Sequence, residues 1–86
     1  MATRDDLPHW VIEALRSLGG SGTIVQVAQY LWQNHASELQ ASGDLFYTWQ
    51  YDMRWAFTKL RNNNTILPAE MSSKGVWRLN TTSGSH

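Results

Sequence analysis

The side chains of this 86-residue chain that could do chemistry are seven carboxylates, seven Lys or Arg, three His and a scatter of hydroxyls and amides; there is no Cys. Without a thiol there is no cysteine nucleophile, no thiolate metal site and no disulfide framework. His9, His35 and His86 stand at no metal-ligand spacing from one another or from an acidic residue. Leu18-Gly19-Gly20-Ser21-Gly22 is rich in glycine, but it follows no strand and lacks the spacing of a phosphate-cradling loop. Asp5-Asp6 reads as helix capping rather than as a catalytic pair. The chain is therefore expected to be a binding module and not an enzyme, with no metal and no cofactor.

Binding chemistry concentrates in residues 48–62. Wound at roughly 100° per residue, this stretch stacks Trp49, Met53, Ala56 and Leu60 on one line, with Phe57 beside them, the spacing of a stripe that faces a core. The other side presents Tyr51, Arg54, Thr58 and Asn62, with Gln50, Trp55, Lys59 and Arg61 on its shoulders. Any amphipathic helix needs a solvated side, and Glu and Lys usually fill it. Arg, Asn and Gln are instead the side chains that pair bidentately with base edges. Two readings stand, a helix that reads nucleic acid or a merely solvated face, and the composition favours the first.

That helix needs a scaffold, and 86 residues make one small domain. A core this small is marginal unless large apolar groups fill it; five Trp, three Tyr and two Phe supply them. The N-terminus has no apolar signal-like stretch and no run of about 18 apolar residues occurs, so a cytoplasmic protein that does not enter the membrane is expected. Formal net charge is zero, which alone argues against a nucleic-acid partner. The charges are nevertheless polarised. Residues 1–47 hold five acids against Arg4 and Arg16, a balance of −3, and residues 48–86 hold five bases against Asp52 and Glu70, a balance of +3.

In chain order, residues 1–5 are expected to be a disordered lead-in, 6–80 the folded domain and 81–86 a flexible tail or truncated linker. Asp6 can cap a first helix with Pro8 in its first turn, Leu7, Val11, Leu15 and Leu18 as its buried stripe, and Gly19-Gly20 to close it. Thr23-Ile24 is a stub of strand, and residues 25–34 are helical, with Ile24, Val27 or Ala28, and Leu31 at core spacing and Trp32 at the surface. Residues 35–44 are polar and end in the breaker Ser42-Gly43-Asp44, although Glu38-Leu39-Gln40 can extend the second helix. Thr48 is the expected N-cap of the third helix, and Asn62-Asn63-Asn64 its stop, because Asn tolerates the left-handed region. Thr65-Ile66-Leu67-Pro68 and Val76-Trp77-Arg78-Leu79 then alternate as the two strands of a β-hairpin, with Trp77 and Leu79 turned to the helices.

Helix, strand stub, helix, helix and hairpin is the order of an α+β winged helix-turn-helix, in which the third helix enters the major groove and the wing reaches phosphates. The expected DNA-binding residues are Thr48, Gln50, Tyr51, Arg54, Thr58, Lys59, Arg61 and Asn62 on the helix, and Ser73, Lys74 and Arg78 on the wing. Gln50 and Asn62 suit adenine, the arginines guanine or phosphate, and Ser73 and Lys74 phosphate. Trp55 is read as a core residue that seats the helix.

Arg54-Trp55-Ala56, the later Leu60, and Lys74-Gly75-Val76-Trp77-Arg78-Leu79 resemble the N-terminal winged-helix domain of Mrr-type restriction endonucleases. Leu18-Gly19-Gly20 with the Gly-x-Trp-x-Leu wing is also similar to the winged-helix modules of methyladenine-dependent restriction enzymes. The resemblance spans residues 8–80. It implies a module that reads double-stranded DNA, in some relatives methylated DNA, within restriction-modification or defence, often attached to a nuclease or other effector. No acidic pair and lysine of a nuclease occurs in this chain. The competing reading is a winged helix that docks a protein or a second copy through Trp32, Tyr30 and a helix stripe.

Overall fold

A computed structural model describes residues 3–68 and 75–80. Its described elements are a 3₁₀ turn at Arg4–Asp6, then α1 (Leu7–Ser17), β1 (Ser21–Thr23), α2 (Ile24–Gln40), α3 (Leu45–Asn62) and β2 (Val76–Arg78). Three helices and one two-stranded antiparallel sheet make an α+β domain. Among the described residues, no helix is long and apolar enough to cross a membrane.

The helical stripes are where the periodicity puts them. Leu7, Val11 and Leu15 of α1, Val27 and Leu31 of α2, and Trp49, Met53, Ala56, Phe57 and Leu60 of α3 are all buried in one cluster. Leu18 departs from its stripe and is exposed, because α1 ends at Ser17 and the chain turns away. Trp10 takes up buried space instead, stacked on His35 with ring centroids 4.1 Å apart. Gly20, at φ +104°, closes α1 as expected: its N–H donates to the Leu15 carbonyl at 2.7 Å.

Four boundaries differ from the sequence reading. Arg4 and Asp5, expected in a disordered lead-in, belong to the 3₁₀ turn, which Thr3 and Asp6 close as a capping box. Asp6 is thereby used in that turn and makes no side-chain cap on α1. Ile24 is not in the strand but opens α2; Thr23 caps it, its Oγ1 accepting from the Gln26 N–H at 3.2 Å while the Thr23 N–H donates to Gln26 Oε1 at 2.9 Å. The second helix takes the extension that Glu38-Leu39-Gln40 allows and runs on to Gln40, through a kink at His35, whose φ of −129° is not helical. Leu39, fully buried, explains the extension, since only a continued helix returns it to the core.

Thr48 is not the N-cap of α3. The helix starts at Leu45, one turn earlier, with Asp44 as its cap residue and with backbone bonds from Phe46 N to Gly43 O and from Tyr47 N to Asp44 O. Burial of Leu45 against the core draws the apolar step into the helix. Asn64, at φ +67°, is the left-handed residue that ends it.

The sheet is also paired differently. β2 lies against β1, with Ser21 opposite Arg78, Gly22 opposite Trp77 and Thr23 opposite Val76. The first arm of the expected hairpin is reduced to one bridge, Ile66 opposite Leu79, flanked by bonds from Leu67 N to Arg78 O and from Asn80 N to Thr65 O. Leu79 N–H turns the other way and donates to Gly20 O at 2.8 Å, tying the end of α1 to β2. Trp77 and Leu79 pack on the core as expected, Trp77 stacking on Phe57 at 4.4 Å, while Arg78 is exposed.

Candidate nucleic-acid interface

α3 buries one face against both other helices and leaves the other to solvent. The outward line holds Tyr47, Tyr51, Arg54, Thr58 and Asn62, all exposed and spaced 4, 3, 4 and 4 residues apart. This line spans about 22 Å at roughly 1.5 Å per residue. It carries no carboxylate. Asp52 is half-buried on the flank and accepts from Thr48 Oγ1 at 2.8 Å. Thr48, expected as a DNA contact, is thus engaged within the helix.

The α3 cations are not equivalent. Arg54 is exposed and has no hydrogen-bond, ion-pair or ring partner among the described residues. Lys59 lies over the Trp55 ring at 5.1 Å, and Arg4 over the same ring at 4.2 Å. Trp55 is accordingly half-buried: it packs against the core, as expected, and also serves as a platform for two cations. Arg61 is half-buried; its guanidinium stacks over Trp77 at 4.2 Å and its Nε donates to the Leu67 carbonyl at 3.2 Å. It clips the end of α3 to the sheet.

Gln50 and Tyr51 join Arg54 along an open groove of about 800 Å³ between α2 and α3. Its apolar wall includes Val25, Trp32, Phe46 and Trp49. Trp32 lies parallel to Trp49, 6° between planes and 6.2 Å between centroids, and remains 41 % exposed. Tyr47 and Tyr51 stand out further, at 83 % and 78 %. Sequence reasoning misses Tyr47 and Val25 as surface groups and Phe46 as a half-buried part of the groove wall. Tyr47 was discoverable, since it lies four residues before Tyr51 and repeats the helical spacing backwards.

Of the other expected contacts, Thr58 and Asn62 are exposed toward the C-terminal end of α3, and Arg78 projects from β2. Ser73 and Lys74 lie outside the described residues. Arg54 and Arg61 are seven residues apart on α3, and only Arg61 touches the sheet.

A second polar cluster sits where α1 meets α2. His35 Nδ1 faces Glu38 Oε1 at 2.7 Å and His35 Nε2 faces Glu13 Oε2 at 3.1 Å, while Tyr30 Oη donates to Glu13 Oε2 at 2.9 Å. That bond raises the Tyr30 phenol above its ordinary range, because the neutral hydroxyl is the form that donates; burial and the Glu13 charge add to the effect. Tyr30, one residue of the docking alternative, is thus committed to α1. Among the described residues no group of three His, Asp or Glu could hold a metal ion. No family model, curated protein or solved structure matches the chain.

Proposed function

We propose that the domain is a winged helix-turn-helix module that binds double-stranded DNA, with α3 in the major groove and the segment around Arg78, Ser73 and Lys74 on phosphates. The observation that carries this reading is the outward line of α3: five exposed side chains without a carboxylate, centred on Arg54, which no other described side chain neutralises. Arg is the side chain best matched to guanine edges and phosphate oxygens, and Tyr, Thr and Asn add hydrogen-bonding reach. The order of helices and the β1–β2 pairing suit that architecture. Phosphate contacts from Lys59 and Arg78 position the duplex and leave sequence choice to Gln50, Tyr51 and Thr58, while Arg54 can reach a guanine edge or a phosphate. Arg61 serves first as the clip between helix and sheet and only secondarily as a contact.

The sequence resemblance extends the reading to the DNA-recognition part of a restriction or defence protein, with base methylation as a candidate for what is read. Titration of the domain with unmodified and methylated duplexes of one sequence, followed by fluorescence of its tryptophans, tests both points. Binding through about four phosphate contacts loses roughly a hundredfold in affinity between 50 and 200 mM salt. Arg54→Ala lowers affinity about tenfold, the equivalent of one lost charged hydrogen-bonding contact. A salt-insensitive association, or wild-type affinity in Arg54→Ala, overturns the proposal.

The second reading, a protein-docking module, is favoured by a specific observation: Val25, Trp32, Tyr47 and Tyr51 are all exposed. Contiguous exposed apolar surface is the usual mark of an interaction site. Self-association that survives high salt and is abolished by Tyr51→Glu would decide for docking.

A further inference from the structure

The groove between α2 and α3 runs beside the outward line of α3, and its lining is chemically selective. Its volume of about 800 Å³ is within the range of roughly 300–1,000 Å³ typical of small-molecule sites. Trp32 is part of its wall and, at 41 % exposure, keeps part of its indole uncovered after stacking on Trp49. Gln29 and Gln50 bring carboxamides to the lining, and Arg54 is its only charged residue among the described ones.

We infer that this groove holds an unstacked nucleotide, its base against Trp32, its edge against Gln29 or Gln50 and its phosphate near Arg54. The proposal rests on the DNA-binding reading and deepens it. Each part of the occupant follows from the wall. A partly uncovered indole suits a planar ring, because base–aromatic stacking is favourable for every base. Carboxamides match the paired donor and acceptor of a base edge. A guanidinium with no acid paired to it among the described residues selects an anion, which a purely apolar peptide would not supply. The occupant's source is either a base displaced from a duplex or a nucleotide of a single strand.

Four probes of one sequence separate these outcomes: a fully paired duplex, the same duplex with one mismatch, the same duplex with one bulged nucleotide, and the single strand. Extracting a base costs least where it is already unpaired. The mismatched and bulged duplexes should therefore bind at least about fivefold more tightly than the paired one. Tighter binding of the single strand than of either would assign the groove to single strands.

Trp32→Ala should abolish the preference while changing paired-duplex affinity less than about twofold, since base stacking is worth at least about fivefold per base. Val25→Glu guards against a folding artefact, because Val25 is 60 % exposed and lines the same groove; its added charge should repel the phosphate and weaken the same preference. Equal affinity for paired, mismatched and bulged duplexes overturns the groove proposal and leaves DNA binding standing. No binding of any probe overturns both. A change of oligomeric state in Trp32→Ala, with the preference intact, makes the groove a protein contact and overturns the proposal.

Discussion

Two regions of this small domain gather polar and aromatic side chains, and they use them in opposite ways. At the junction of α1 and α2, His35, Glu13, Glu38 and Tyr30 answer one another over 2.7–3.1 Å, and Trp10 stacks on the imidazole. Between α2 and α3, Trp32, Tyr47, Tyr51 and Arg54 stand in the open. The first set contains the residue types most often associated with catalysis, yet its hydrogen-bonding capacity is spent on holding two helices together. The second set contains neither a histidine nor a carboxylate, yet its surface is unfilled. A site is marked by groups whose partners lie outside the chain, not by which residue types occur.

The contrast is broken most directly by exchanging which tryptophan is lost. Trp10→Ala should destabilise the fold by about 3–5 kcal/mol, since it empties a buried aromatic site beneath His35. Trp32→Ala, half outside the core, should remain well below that in the same urea titration. Equal losses would mean that the groove wall is part of the core. His35→Ala comes next, at about 1–3 kcal/mol, because it removes one ring that meets two carboxylates and an indole. Under the proposed DNA binding, its duplex affinity should stay at the wild-type value, which a role for this cluster in binding would not allow.

The two arginines of α3 sharpen the same comparison within one helix. Arg61→Ala removes a cation–π stack and a hydrogen bond to the Leu67 carbonyl, together about 1 kcal/mol. The thermal midpoint should fall by about 4–8 °C for a domain of this size. Arg54→Ala should leave stability within about 0.5 kcal/mol, as expected of an exposed side chain away from packing and caps. Thermal unfolding of both variants beside their duplex affinities distinguishes clip from contact; an unchanged midpoint in Arg61→Ala would return that residue to the interface.

Local pattern and long-range pairing differ in how far the sequence discloses them. The stripe Trp49, Met53, Ala56, Leu60 repeats within one helix, so periodicity alone exposes it, and Asn64 and Gly20 mark helix ends through their own backbone preferences. Arg61 could not be recognised as a clip from the helix, because its partner Trp77 lies 16 residues onward and meets it only after β2 has docked on β1. The start of α3 was misread for a related reason: Thr48 is a good cap residue, but burial of Leu45 outweighs the cap by adding a turn. The α2–α3 groove is a product of helix packing, and no spacing along either helix encodes it. Trp32 alone hinted at it, as a large aromatic that did not fit the buried stripe.

The smallest expected effect lies in the α1–α2 junction and concerns pH. Tyr30 donates to Glu13, and that bond holds its phenol above the ordinary value of about 10. A group whose folded pKa is raised binds its proton more tightly in the native state. Its stabilising contribution is complete below the unfolded pKa and is lost as pH rises through the folded one. The native protein should therefore lose stability above about pH 10 more steeply than Tyr30→Phe, which has no phenolic proton to lose. An alkaline slope that Tyr30→Phe leaves unchanged would mean that the Tyr30–Glu13 bond does not hold the phenolic proton.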